Sequence, residues 1–169
     1  MNIILQGYMG SGKSTVAVKL ASTLHLQHID LDQLIESHEN LSVTEIFSLK
    51  GEIYFRKLES HLLNSVLSQQ TNFVLALGGG TPCYGNNLDA IKTGGVSIYL
   101  KGSIALLCER IANSDNRPLI QDRSRDDLTE FIAKHLFERS SFYEQSDFVV
   151  TIDGKTADEI VNEIVALLT

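Results

Sequence analysis

Short apolar runs alternate with amphipathic stretches along this chain. Runs at Asn2–Gln6, 26–29, 73–77, 96–100 and 147–152 predict five β-strands. Several are apolar at consecutive positions rather than at every second one, as in strands covered on both faces. Between them, apolar residues recur at helical spacing. Val16, Leu20, Ala21 and Leu24 mark a first helix, and Leu58, Leu62, Leu63, Val66 and Leu67 a later one. Ile104, Leu107, Cys108 and Ile111 follow the same rule, as do Ala157, Ile160, Val161, Ile164, Val165 and Leu168 at the C-terminus. Strands alternating with helices predict an α/β fold, a parallel sheet with helices on both faces.

Two segments break this rhythm. Residues 35–57 are helical in composition but have no strand before Phe73, and so predict an inserted helical segment. Residues 113–125 (NSDNRPLIQDRSR) are polar, charged and nearly coreless, and read as a surface loop or a lid.

Composition narrows the function. With 169 residues and 43% hydrophobic content, one packed domain spanning 1–169 is expected. Fourteen Lys and Arg against 21 Asp and Glu leave a formal charge of −7, with no long basic run. That balance argues against a nucleic-acid partner. The longest apolar runs are about five residues, far below the roughly 18–20 of a membrane span. No basic region or cleavable apolar segment precedes Ile3-Ile4-Leu5, so a cytoplasmic location is expected. Cys83 and Cys108 offer no disulfide framework, and the five histidines (25, 28, 38, 61, 135) have no metal-ligand spacing.

The first strand runs into residues 7–15 (GYMGSGKST), a match to G-x-x-x-x-G-K-S/T between a strand and an amphipathic helix. A chance match arises at roughly one position in 30,000. Glycines such as Gly10 and Gly12 let backbone N–H groups, with those of Ser11 and Thr15, converge on phosphate oxygens at a helix N-terminus. Lys13 is then placed to reach the β- and γ-phosphates of ATP and Ser14 to ligate Mg²⁺.

Asp30 and Asp32 follow the second strand, where carboxylates would face the phosphate site. One could hold Mg²⁺ through water and the other orient or deprotonate an acceptor hydroxyl. The competing reading makes Asp32 the cap of a helix starting at Gln33. Gly78-Gly79-Gly80 after the third strand suits close approach of a ligand to the main chain, against a plain turn. Of the six arginines, Arg56 has Glu59 one turn on, Arg139 has Tyr143 one turn on, and Arg117 precedes Pro118 in the polar stretch.

Taken in order, the phosphate loop, Asp30-x-Asp32, Gly51-Glu52-x-x-Phe55-Arg56-x-x-Glu59, Gly78-Gly79-Gly80, Arg117-Pro118-Leu119 and Arg139-x-x-x-Tyr143 resemble the shikimate kinases over nearly the whole chain. The resemblance implies a P-loop kinase fold: a five-stranded parallel sheet flanked by helices, a helical substrate-binding segment near 31–60 and a lid near 113–125. It implies ATP-dependent phosphorylation of the shikimate 3-hydroxyl, giving ADP and shikimate 3-phosphate on the route to chorismate and the aromatic amino acids. By the same resemblance Lys13 and Ser14 serve ATP and Mg²⁺, and Asp30 reaches the metal through water. Asp32 engages the reacting hydroxyl, and Arg56 and Arg139 grip the substrate carboxylate beside Gly79. Arg117 reaches the ATP phosphates from the lid, Arg110 lies against adenine, and residues 153–156 form the loop on the base's other side. A monomer is expected. The chain has Ser141-Phe142 before Tyr143, where relatives commonly have Pro-Leu. A kinase for another polyhydroxy acid or a nucleotide, and a nucleotide-binding domain without catalysis, are the competing functions.

Overall fold

The structure is a computed structural model that describes residues 1–114 and 124–169. Five strands, β1 (Asn2–Gln6), β2 (Gln27–Asp30), β3 (Phe73–Ala76), β4 (Val96–Lys101) and β5 (Phe148–Thr151), form one sheet in the spatial order β2-β3-β1-β4-β5. All pairings are parallel. Central β1 pairs Ile4 with Leu75 of β3 and with Ser97 of β4. Ile3 and Leu5 face one side of the sheet and Ile4 the other, and all three are fully buried. This two-sided burial is why the strand is apolar without alternation.

On one face, α1 (Lys13–Leu24) and α8 (Ala157–Leu168) pack Val16, Leu20, Ile160 and Ile164 against Ile3, Leu5 and Ile98. The opposite face carries α2 (Leu31–Glu39), α3 (Val43–Lys50), α4 (Glu52–Gln69) and α5 (Asn87–Gly94). Their Leu31, Ile35, Ile46, Phe55, Leu63 and Ile91 surround Ile4, Phe73 and Leu75. The helical segment predicted over 35–57 thus belongs to α2, α3 and α4 and shares a core with the sheet. A third cluster joins α6 (Ile104–Ala112) and α7 (Arg125–Tyr143) to the end of β1 through Tyr8, Tyr99, Leu107, Ile132 and Tyr143. Helix starts follow local chemistry: Ser42 with Glu45, and Thr156 with Glu159, form reciprocal capping boxes at α3 and α8.

The predicted strands recur with boundaries shifted by a residue. The shift that matters is at the second one. β2 runs through Asp30, and α2 begins at once with Leu31, so the helix does not start at Gln33 under an Asp32 cap. Asp30 is the cap, its Oδ1 accepting the Gln33 N–H at 3.1 Å. Of the predicted lid over 113–125, residues 115–123, and Arg117 with them, lie outside the described residues.

Candidate active site

Sheet order places the site. β2 and β3 follow β1 in sequence but lie to one side of it, and β4 lies to the other. The connections therefore diverge between the carboxyl ends of β1 and β3, the crevice where open α/β sheets bind ligands. The phosphate loop leaves β1 there, and Gly78-Gly79-Gly80 leaves β3 beside it.

Within the loop Gly10 and Gly12 hold φ of 81° and 87°, left-handed values that favour glycine, and Gly12 caps α1. Lys13 Nζ donates to Gly7 O at 2.7 Å and to Tyr8 O at 3.0 Å, which seats the ammonium inside the turn. Ser11 is buried, and its Oγ has no hydrogen-bond partner among the described residues. Ser14 Oγ donates to Asp30 Oδ2 at 2.8 Å, joining the start of α1 to the end of β2. Thr15 is exposed on the first turn of α1. From the last turn of α6, Arg110 lies against the loop, Nη1 donating to Gly10 O at 3.1 Å. Asp153, in the predicted adenine loop, accepts the Ser103 N–H at 2.9 Å.

Asp32 sits in the first turn of α2, where its Oδ1 lies 2.9 Å from the position a Cβ on Gly78 would take. Burial, reinforced by the negative charges of Asp30 and Glu59, raises its carboxyl from 3.8 to about 6, with Lys13 opposing the rise. A carboxylate held this way can take a proton at only slightly acidic pH.

Arg56 on α4 and Arg139 on α7, 83 residues apart in sequence, meet above Gly80. A Cβ at Gly80 would come 2.7 Å from Arg56 Nη2 and 3.0 Å from Arg139 Nη2. At Gly79 it would lie 3.4 Å from Arg139 Nη1 and 3.4 Å from the Met9 backbone N. Three glycines in series thus leave room for a carboxylate on one side, two guanidiniums on another and the phosphate loop behind.

A buried frame orients these groups. Glu59, 1% exposed, accepts from Arg56 Nη1 at 2.8 Å and from Thr81 Oγ1 at 2.8 Å. Asn87 Nδ2 donates to Thr81 O at 2.9 Å, and Ser60 Oγ donates to Asn87 Oδ1 at 2.7 Å. Tyr143, fully buried, donates its hydroxyl to Gly79 O, and burial pushes its phenol well above the usual range. On the loop side, Tyr8 and His135 join hydroxyl to Nδ1 at 2.9 Å; burial, then Arg139, lowers the imidazole below its usual value.

The geometry therefore gathers Lys13, Ser14 and Asp30 into one group and Asp32, Arg56, Arg139 and the three glycines into an adjoining one. Thr81, Asn87, Tyr84 and His135 complete the surroundings without a motif to announce them. Thr81 adjoins the glycines, but nothing in its sequence position foretells a fully buried hydroxyl holding Glu59.

The chain as a whole has known relatives. The family model for shikimate kinase matches residues 9–169. A shikimate kinase of Flavobacterium johnsoniae is 46% identical over 168 residues, covering 98% of each chain. That of Flavobacterium psychrophilum is 44% identical over the same span. Among solved structures, the shikimate kinase of Bacteroides thetaiotaomicron superposes with a TM-score of 0.93 at 32% identity, covering 99% of this chain and 98% of that one. The Acinetobacter baumannii shikimate kinase in complex with shikimate gives 0.89 at 30% identity, with 99% and 92% covered. A phosphate loop facing two convergent arginines, on this sheet order and at this level of identity, places the chain in the shikimate kinase family.

Proposed function

We propose that this chain transfers the γ-phosphoryl group of ATP to the 3-hydroxyl of shikimate, releasing ADP and shikimate 3-phosphate, as a cytoplasmic monomer supplying aromatic biosynthesis. The observation that carries the reading is the convergence of Arg56 and Arg139 over Gly80, beside Asp32 and the phosphate loop. Two guanidiniums offer paired N–H donors to one carboxylate, which selects an acidic acceptor over a neutral sugar.

The residues divide the work. The amides of 10–15 and the Lys13 ammonium hold the ATP phosphates, and Arg110 supports the loop at Gly10. Arg56, Arg139 and the Gly79 and Gly80 backbone hold the acceptor by its carboxylate. That leaves Asp32, beside Gly78, to accept the hydrogen bond of the reacting hydroxyl and take its proton as the O–P bond forms. Arg117 is assigned to the transferring phosphate by its family motif.

Ser14 Oγ and the Asp30 carboxylate, 2.8 Å apart at the loop, are the hard oxygen donors that fit Mg²⁺, Ser14 directly and Asp30 through water. Among the described residues no group of three or more His, Cys, Asp or Glu could hold a metal ion. When bound, Mg²⁺ neutralises charge on the phosphate oxygens.

The test is acceptor-dependent ADP release with Mg-ATP, with gluconate and a nucleoside monophosphate run beside shikimate. Turnover with shikimate alone is expected. Turnover with another acceptor and none with shikimate would overturn the assignment while sparing the phosphate loop.

A further inference from the structure

Arg56 is oriented from more than one direction. Glu59 fixes Nη1 from beneath at 2.8 Å, a contact on one edge of the guanidinium that leaves the plane free to swing. Arg56 Cζ lies over the aromatic ring of Tyr84, 4.0 Å from its centroid, closer than to Phe55 at 5.1 Å or Phe47 at 6.0 Å. Tyr84 is itself held twice. It ends the 3-10 turn Thr81–Cys83 that follows the three glycines, and its hydroxyl donates to Glu52 Oε1 at 3.2 Å. That same carboxylate oxygen lies 4.0 Å from Arg56 Nε, too far for a hydrogen bond.

We propose that Tyr84 is a positioning residue for substrate recognition: stacked on Arg56 and tethered to Glu52, it sets the plane in which Arg56 presents Nη2 to the acceptor carboxylate. Held by the Glu59 carboxylate at Nη1 and by the Tyr84 ring at 4.0 Å, the guanidinium loses little freedom when the substrate arrives. The ion pair of Arg56 and Glu59 is itself largely buried, with side chains 15% and 1% exposed, which strengthens the donors left for the ligand. This proposal rests on the reading of Arg56 as a carboxylate-binding residue.

Tyr84 is only partly buried, so replacing it spares the core. Steady-state kinetics on Tyr84→Leu, Tyr84→Gln and Tyr84→Phe, each alone, test the role, together with Arg56→Ala and the double variant Arg56→Ala/Tyr84→Leu. Loss of the ring is expected to raise KM for shikimate about tenfold while KM for ATP stays within about twofold. Tyr84→Phe keeps the ring and is expected to recover most of that loss. Once Arg56 is gone, Tyr84→Leu adds no further rise. An equal rise in both backgrounds, or an equal rise for ATP, would show that Tyr84 does not act through Arg56 and would overturn the proposal. If Arg56→Ala raises KM for shikimate and neither Tyr84→Leu nor Tyr84→Gln does, the positioning role alone falls. If Arg56→Ala leaves that KM unchanged, the carboxylate reading falls and the role of Tyr84 with it.

Discussion

Gly80 shows how a residue without a side chain can be specific. Its φ of −96° is open to any residue, so the constraint is space alone. A methyl there would lie 2.7 Å from Arg56 Nη2, 3.0 Å from Arg139 Nη2 and 3.0 Å from Arg56 Nη1, the nitrogen that Glu59 holds, so both side-chain ends must shift. Gly80→Ala therefore still folds, with a melting temperature lowered by a few degrees because the Arg56–Glu59 pair is disturbed, yet its KM for shikimate rises at least about tenfold, on the scale of a displaced charge-assisted hydrogen bond. Unchanged KM for shikimate would show that the two guanidiniums do not bind there. Asp32 makes the opposite trade. Its folded-state value of about 6 exceeds the ordinary 3.8, so over that interval the folded protein keeps a proton the unfolded chain has released. Its contribution to stability accordingly falls as pH rises through the interval and is least favourable above it. In metal-free protein Asp32→Asn is expected to gain about 1–3 kcal/mol at pH 7.5, to keep less than half of that gain near pH 4.5, and to lose turnover. Thermal melts in a chelating buffer measure this; a variant less stable than wild type at pH 7.5 would contradict it. At this scale the motif residues were legible in sequence because their chemistry is local and spaced. Thr81, Asn87 and Tyr84 were not, because their roles depend on what the fold brings beside them.

At the scale of elements, the five strands and α1, α4, α6 and α8 followed from periodicity, since burial on two faces or one stripe leaves a direct imprint, whereas α5 and α7 were not read from it. Boundaries depended on single hydrogen bonds. Asp30 serves at once as the last residue of β2, the cap of α2 and the acceptor of the Ser14 hydroxyl. A pattern of apolar positions cannot tell that assignment from one with Asp32 as cap. The entry to β4 offers a contrast to Gly80. Gly95 is extended, and a Cβ on it would lie 2.5 Å from Asn2 O and 3.0 Å from Asn2 C, backbone atoms of the neighbouring β1 that cannot swing aside. Gly95→Ala is predicted to cost about 1–3 kcal/mol and lower the melting temperature by several degrees, with KM for both substrates near wild type. A melting temperature equal to wild type would show that the β1–β4 edge has slack.

At the scale of the whole molecule, a chain with net charge −7 concentrates cations where the strand order diverges, the place that the proposed function gives to two anionic substrates. Arg56 arrives from α4, Arg139 from α7, Lys13 from α1 and Arg110 from α6, so no single segment carries the positive site. That dispersal is why the site could be read from the sequence only through the order of motifs, whereas the parallel sheet could be read from periodicity alone. Among the described residues no helix is long and apolar enough to cross a membrane. The central claim is that this assembly recognises shikimate by its carboxylate and phosphorylates it. The most direct measurement compares kcat/KM for shikimate and its neutral methyl ester in the wild type and in Arg56→Ala. The account predicts that the wild type favours shikimate by roughly a hundredfold and that Arg56→Ala erases most of this preference. Equal use of acid and ester by the wild type, or a preference that survives the loss of Arg56, would contradict it.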